Sequence, residues 1–246
     1  MAWIDESVEL EAHEVYRLDM EVHGLLWFSW MAQPRRMYVH VPSPVIHNYA
    51  ITLALLGRPV EESYANLVQR IPRYRGLEYY YRRYGVYVYP AVVEKALVKP
   101  VLFSMGGTGL LVSKPQTRAP VPDLTVNNVY LPGTRLRSYA IVRVGSPFHE
   151  EIRGRRTLYA RLGAKRYGVV RVDFRSVMPC RLVESPASRS GVHPFNVVDA
   201  GVSRYRGLMS HPAGDVALTG ELTMVIECRD GSRLAPPRFV LEEELP

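Results

Sequence analysis

Cysteine is nearly absent from this chain. Cys180 and Cys228 are the only two, too few for a disulfide framework or a zinc cluster, and this usage suits a reducing cytoplasm. Lysine is almost as scarce, with four against 27 arginines. No apolar run approaches the roughly 20 residues of a membrane span. The opening Met-Ala-Trp-Ile-Asp-Glu-Ser is acidic and holds no basic segment leading into an apolar one, so no secretion signal is expected. The seven histidines are scattered, with no close pair at metal-ligand spacing, and no metal site is expected. There is no Gly-x-Ser-x-Gly elbow. Gly106-Gly107-Thr108-Gly109 lacks the lysine of a P-loop and the glycine spacing of a dinucleotide site. No cofactor is expected, and an enzyme finds little support. There is no repeat with a period of roughly 20–50 residues and no low-complexity linker, so residues 1–246 read as a single domain.

What is present is positive charge, unevenly placed. The total is +7, yet residues 1–30 carry −6 and residues 239–246 carry −3, so the body from 31 to 238 carries +16. A body this basic suits a polyanionic partner, because neutralising phosphates releases counterions. Arginine's planar fork suits phosphates and base edges. Heat adaptation or codon usage would also raise arginine, but neither explains acidic ends around a basic body.

Alternation marks the strands. Tyr16, Leu18, Met20 and Val22 alternate with Arg17, Asp19 and Glu21, predicting a long first strand over Glu14–Trp30. Met37–Val41 is a short extended piece. A helix is predicted over Pro42–Gly57, capped by Ser43, with Pro44 in the first turn and Gly57 after the last. Its apolar residues surround it, so it should be buried on more than one side. A long strand feeding a buried helix is the first half of a split βαβ, the ferredoxin-like arrangement. Val60–Arg70 reads as a short polar helix and Val86–Tyr89 as a strand. Val101–Phe103 and Leu110–Val112 read as a hairpin with the Gly-rich tip between them. Lys114–Asn128 and Pro179–Pro194 read as loops. Leu136–Val144, Thr157–Leu162 and Tyr167–Phe174 read as strands. Thr219–Cys228 and Arg238–Glu242 form a final hairpin across Asp230-Gly231. The fold class is α+β and strand-rich, with long insertions.

Three features could meet nucleic acid. His47 and Asn48 sit in the first turn of the predicted helix, where they order the helix start or hold a phosphate beside it. The segment 73–89 interleaves Arg73, Arg75, Arg82 and Arg83 with tyrosines, the mixture that stacks unpaired bases and pairs their phosphates. A tyrosine-rich strand with a solvated basic face explains it equally well. Residues 150–175 hold eight cations against three acids, among them Arg153, Arg155, Arg156, Arg161, Lys165 and Arg166. A solvated face mixes signs more evenly, which favours phosphate binding there.

The helix stretch Ile46-His47-Asn48-Tyr49-Ala50-Ile51-Thr52-Leu53-Ala54-Leu55-Leu56-Gly57 resembles the His-Asn-Tyr/Trp-Ala-Leu-x-x-Ala-Leu helix of the Csc-one family, the Cas-five-like subunit of type I-D CRISPR effector complexes. Tyr87-Val88-Tyr89-Pro90-Ala91 is similar to that family's tyrosine strand. Tyr159-Ala160-Arg161-Leu162-Gly163-Ala164-Lys165 is similar to its Arg-Leu-Gly-Lys turn, with Ala164 inserted. The resemblance spans about residues 14–175. It implies a RAMP-type core, ferredoxin-like and related to RRM domains, with an antiparallel sheet. It implies a non-catalytic subunit of the complex, Cascade, that grips the 5′ handle of the guide RNA (crRNA). Its neighbours would be the backbone subunit, whose filament it caps, and the large subunit near the target DNA's PAM. The acidic ends would face basic neighbours or solvent. Two alternatives stay open: a metal-independent endonuclease that processes precursor RNA with His47 in its site, and a general RNA-binding protein.

Overall fold

Ten alternating residues form the spine of the molecule. In the computed structural model the described residues are 8–28, 39–40, 42–57, 62–66, 71–104, 124–163, 168–184, 192–211 and 213–245. After the short strand β1 (Val8–Glu9), the spine is β2 (His13–Val22). It stops before Trp30, which lies outside the described residues, because the chain leaves the ladder at Gly24. The His23 and Gly24 amides both donate to the Val169 carbonyl (2.7 and 3.2 Å), and Leu26 rejoins only through a pair of bonds with Tyr130 (2.9 Å each).

The second extended piece is β3 (Val39–His40). The predicted Pro42–Gly57 helix is shorter than its sequence signature: β4 (Val45–Ile46) precedes α1 (Asn48–Leu55). Sheet pairing takes the first turn away. Val45 and Ile46 pair with Val92 and Ala91, and the Val93 amide donates to the Pro44 carbonyl (3.0 Å). The Ser43 hydroxyl stays within its own turn, accepting from the Val45 amide (3.3 Å), and the cap falls to His47. Gly57 has φ +61 beyond the last turn, as the sequence implied.

Within 60–70 the described residues form a strand, not a helix. β5 (Glu62–Asn66) pairs with β6 (Ile71–Tyr74), so cross-strand bonding outranks a weak helical pattern. The Tyr/Arg run then holds an unforeseen helix, α2 (Leu77–Tyr84). Gly85 closes it at φ +73, and a Cβ there would sit 2.2 Å from Ser146 Cβ. Next come β7 (Val86–Val88), β8 (Ala91–Lys95), β9 (Val98–Ser104) and β10 (Leu124–Tyr130). The described partner of β9 is β10, so the end of the expected 114–128 loop is strand. Gly106–Gly109 and Leu110–Val112 lie outside the described residues.

β11 (Arg135–Arg143), α3 (Pro147–Gly154), β12 (Thr157–Leu162) and β13 (Gly168–Met178) follow. β14 (Cys180–Glu184) occupies part of the expected 179–194 loop, because it pairs with a later strand. Then come β15 (Phe195–Asn196), α4 (Val197–Ala200), β16 (Tyr205–Met209), β17 (Val216–Gly220), β18 (Met224–Cys228), β19 (Arg233–Leu234) and α5 (Arg238–Glu244). The final hairpin thus closes on β19 and not on 238–242. Pro236 and Pro237 stop the strand, and Phe239 and Val240 bury themselves from a helix. Cys180 and Cys228 stand opposite each other on β14 and β18, Cα atoms 4.0 Å apart, and are bonded. Two cysteines too few for a framework still make one cross-link.

The largest sheet has the order β12-β13-β2-β11-β8-β4, with β7 also on β11, and every pairing in it is antiparallel. The architecture is α+β and mostly antiparallel. One sheet face carries Leu18, Met20, Leu136, Val142, Val172 and Phe174 under Ile51 and Leu55 of α1 and Phe148 and Ile152 of α3. The opposite face is covered at one end only. There Val15, Tyr87, Tyr139 and Ile141 pack with Leu182, Ile226, Phe239 and the tyrosines of α2. α1 sends Tyr49 and Leu53 to one core and Ile51 and Leu55 to the other, so it is buried on two sides.

Candidate nucleic-acid interface

The uncovered end of the sheet is polar because alternate residues of four strands share it. Arg171, Glu21 and Arg135 stand in register across β13, β2 and β11, and Asp173, Asp19 and Arg137 do so beside them. Most of these arginines are already answered by carboxylates. Arg17 and Arg175 pair with Asp19 (3.0 and 2.7 Å), Arg171 with Asp173, and Arg137 with Glu94 (3.1 Å). The Asp173 carboxyl is held below its usual range by its Arg171 hydrogen bonds. This is a charge-balanced lattice over a shallow groove.

At the sheet's edge the balance ends. Ser146 caps α3, accepting from the His149 amide (3.2 Å), with Pro147 in the first turn. Phe148 and Ile152 anchor the helix, which leaves Arg153, Arg155 and Arg156 exposed at its far end. Arg153 meets Glu150 at 3.6 Å. Among the described residues no carboxylate pairs with Arg155, Arg156 or Arg161. Alternation on the edge strand β12 turns Thr157, Tyr159 and Arg161 outward. The ridge therefore runs from the end of α3 along roughly 13 Å of strand. Lys165 and Arg166 lie outside the described residues.

The Tyr/Arg segment divides differently. The side chain of Arg73 is not among those described. Arg75 lies over the Tyr79 ring, 4.4 Å from its centre. Arg82 is committed to Glu78 (2.7 Å) and Glu242 (3.2 Å), and Arg83 reaches the Tyr79 hydroxyl (3.3 Å). Tyr80 and Tyr81 are core residues, unavailable for stacking. The C-terminal acids do not face outward partners as a set. Glu243 takes Arg143 (3.1 Å) and accepts from the Tyr81 hydroxyl (2.6 Å), and Glu244 binds His13 and the amides of Glu11 and Ala12 (3.1 and 3.2 Å). Sequence spacing gave no hint that the negative end closes on the positive body.

His47 and Asn48 are wholly buried, and neither reaches the ridge. His47 Nδ1 accepts from the Tyr49 amide (3.1 Å), so Nε2 carries the proton and donates to the Gly214 carbonyl (2.8 Å). Gly214 has φ +112, and a Cβ there would meet Asn196 Oδ1 at 2.2 Å. Asn48 Nδ2 donates to Asp199 (3.0 Å) and to the Tyr87 hydroxyl (3.1 Å), and its Oδ1 accepts from Asn196 Nδ2 (3.3 Å). Burial pushes the Asp199 carboxyl up to about 7. Apart from Tyr87 and the Tyr49 amide, these partners come from residues 196–214, where the sequence showed no motif. From sequence the pair orders the helix start or holds a phosphate; the structure has His47 cap α1, and burial makes the pair the joint between α1 and the C-terminal segments.

Burial, then the neighbouring His211, lowers His47 to about 4, against 6.5 ordinarily. A lowered histidine stabilises the fold fully above the unfolded value, and that stability is lost as pH falls from about 6.5 through about 4. The contribution is about 3 kcal/mol. His47→Asn keeps a capping acceptor but cannot titrate. Urea midpoints at about pH 8 and about pH 5 should therefore differ less for the variant than for the parent chain. An equal difference would remove His47 from the pH response.

Among the described residues no three His, Cys, Asp or Glu side chains gather as a metal would need, and no helix is long and apolar enough to cross a membrane.

The family model described as Type I-D CRISPR-associated protein Cas5/Csc1 matches residues 13–227. The chain belongs to this family. No curated protein matches it. The match begins on the first residue of β2 and runs well past the 14–175 span seen in the sequence. Asn196, Asp199 and Gly214, which fix the His-Asn pair of α1, thus lie inside the Cas5/Csc1 region. Membership puts the protein among the RAMP-like components of type I-D CRISPR systems.

Proposed function

We propose that this Cas5/Csc1 protein is a non-catalytic, cytoplasmic subunit of the type I-D effector complex that grips the 5′ handle of the guide RNA. The observation that carries the reading is the unbalanced ridge of Arg153, Arg155, Arg156 and Arg161 at the sheet edge. Arg155, Arg156 and Arg161, without a carboxylate partner among the described residues, are free to neutralise phosphates, whereas most arginines of the open face are answered by carboxylates. Lys165 and Arg166 extend the ridge in sequence. Arg83 on α2 and Arg75 just before it are secondary contacts. His47, Asn48 and Arg82 drop out of the proposed face, the first two by burial and the third by its two ion pairs.

The order β13-β2-β11-β8, with α1 and α3 as the two crossovers, agrees with a ferredoxin-like, RRM-type core in one RAMP-type domain. In such a core the helices cover one face and leave the other side for RNA. In the complex the chain would cap the backbone filament and touch the large subunit near the PAM, while guide pairing reads the target. The endonuclease reading needs a base within reach of RNA. Its named candidate, His47, is sealed in the core with both ring nitrogens engaged.

RNA recovered from the purified complex, then sequenced, tests this reading. Short guides with one constant 5′ end are expected. RNA of unrelated sequence would favour a general RNA-binding protein, and precursor cleavage by the isolated chain would restore the endonuclease.

A further inference from the structure

Tyr159 is the most exposed large apolar side chain among the described residues, at 66 %. A ring left this exposed gains nothing from burial. Its setting is specific. It sits mid-way along the edge strand β12, turned outward between Thr157 and Arg161. Arg171 stands opposite it on β13. The His23 ring meets it edge-on, centres 6.0 Å apart and planes at 89°. Arg171 is pinned by Asp173, so the cation beside the ring has little freedom. Arg161 projects on the same side, roughly 7 Å along the strand, with no carboxylate partner among the described residues.

We infer that Tyr159 is a stacking platform for one unpaired nucleobase. The inference rests on the RNA-binding reading and assigns it a contact that the arginines cannot supply. The His23 ring stands at right angles beside it, and the Tyr159 side chain keeps most of its surface exposed to receive a base. Arg161 and the Arg153–Arg156 end of the ridge take the phosphates to either side. Every base has a π face, so the platform adds affinity and fixes where the strand lies without selecting sequence. An exposed ring with cations on both flanks suits a single strand, since paired bases offer no free face.

The test titrates the full chain with a short oligouridine and with an abasic ribose-phosphate strand of equal length. The parent chain should bind oligouridine about tenfold tighter than the abasic strand. Tyr159→Ala should lose about that tenfold on oligouridine and nothing on the abasic strand. Tyr159→Trp should restore it. Because the side chain is exposed, the thermal transition of Tyr159→Ala should match the parent's. If Tyr159→Ala binds oligouridine as the parent does, or weakens both strands alike, the stacking role is overturned while the ridge stands. If the parent binds neither strand, the RNA-binding reading falls and the platform with it.

Discussion

Asn48→Leu should cost about 3–5 kcal/mol of stability, more than its loss of one amide suggests. The side chain is fully buried and serves four partners: Asp199, the Tyr87 hydroxyl, Asn196 Nδ2 and the Tyr49 amide. Leucine fills the space yet donates nothing. Asp199 would keep only the Tyr87 hydroxyl (3.2 Å), and Asn196 Nδ2 only the Ala213 carbonyl (3.0 Å). Asp199→Asn gives the contrasting case. Its raised value means stability fully present below about pH 4 and lost as pH rises through about 7. An amide removes that loss, so above neutrality this variant should be far milder than Asn48→Leu. Urea midpoints at constant m-value measure both. Equal destabilisation by the two variants would mean that packing, and not the carboxylate, sets the cost.

The same residues show what sequence can and cannot reveal. β2, β11, β12 and β13 were legible because one buried face against one polar face enforces a period of two. The helix around Tyr49 was legible as an element, but its start was not. Ser43 and Pro44 look like a cap to any local rule, and only the pairing of Val45 with Val92 shows the segment to be extended. The α2 run failed for a related reason. Tyrosine and arginine fit strand and helix alike, and the deciding facts are the burial of Leu77, Tyr80 and Tyr81 on one side and Gly85 at the end. Arg153, Arg155, Arg156 and Arg161 were legible as a charge cluster. Which arginines elsewhere are cancelled was not, because Arg143 and, besides its neighbour Glu78, Arg82 pair with glutamates roughly 100–160 positions away, brought in by α5. Of the two roles open to His47 and Asn48, ordering the helix start holds, since His47 caps α1, and burial leaves no room for the phosphate; the partners that bury them lie mostly in a C-terminal third without a motif.

The second large effect concerns the ridge itself. Reversing Arg153, Arg155 and Arg156 to glutamate should lower affinity for single-stranded RNA by roughly two orders of magnitude at low salt. Stability should change by no more than about 0.5 kcal/mol, because all three side chains are exposed. Arg153 has only its surface pair with Glu150 to lose, and such pairs contribute little. A loss of binding without a loss of fold separates this surface from the buried network around Asn48.

The slope of log affinity against log salt is the measurement that bears most directly on the ridge as the RNA grip. Each single-strand phosphate contact contributes about −0.7 to it, so the triple reversal should flatten the slope by about two. Filter binding of the parent and the reversed chain to a handle RNA, over a range of salt, reads that difference. A slope unchanged by the reversal would contradict the account and move the RNA to another face of the molecule.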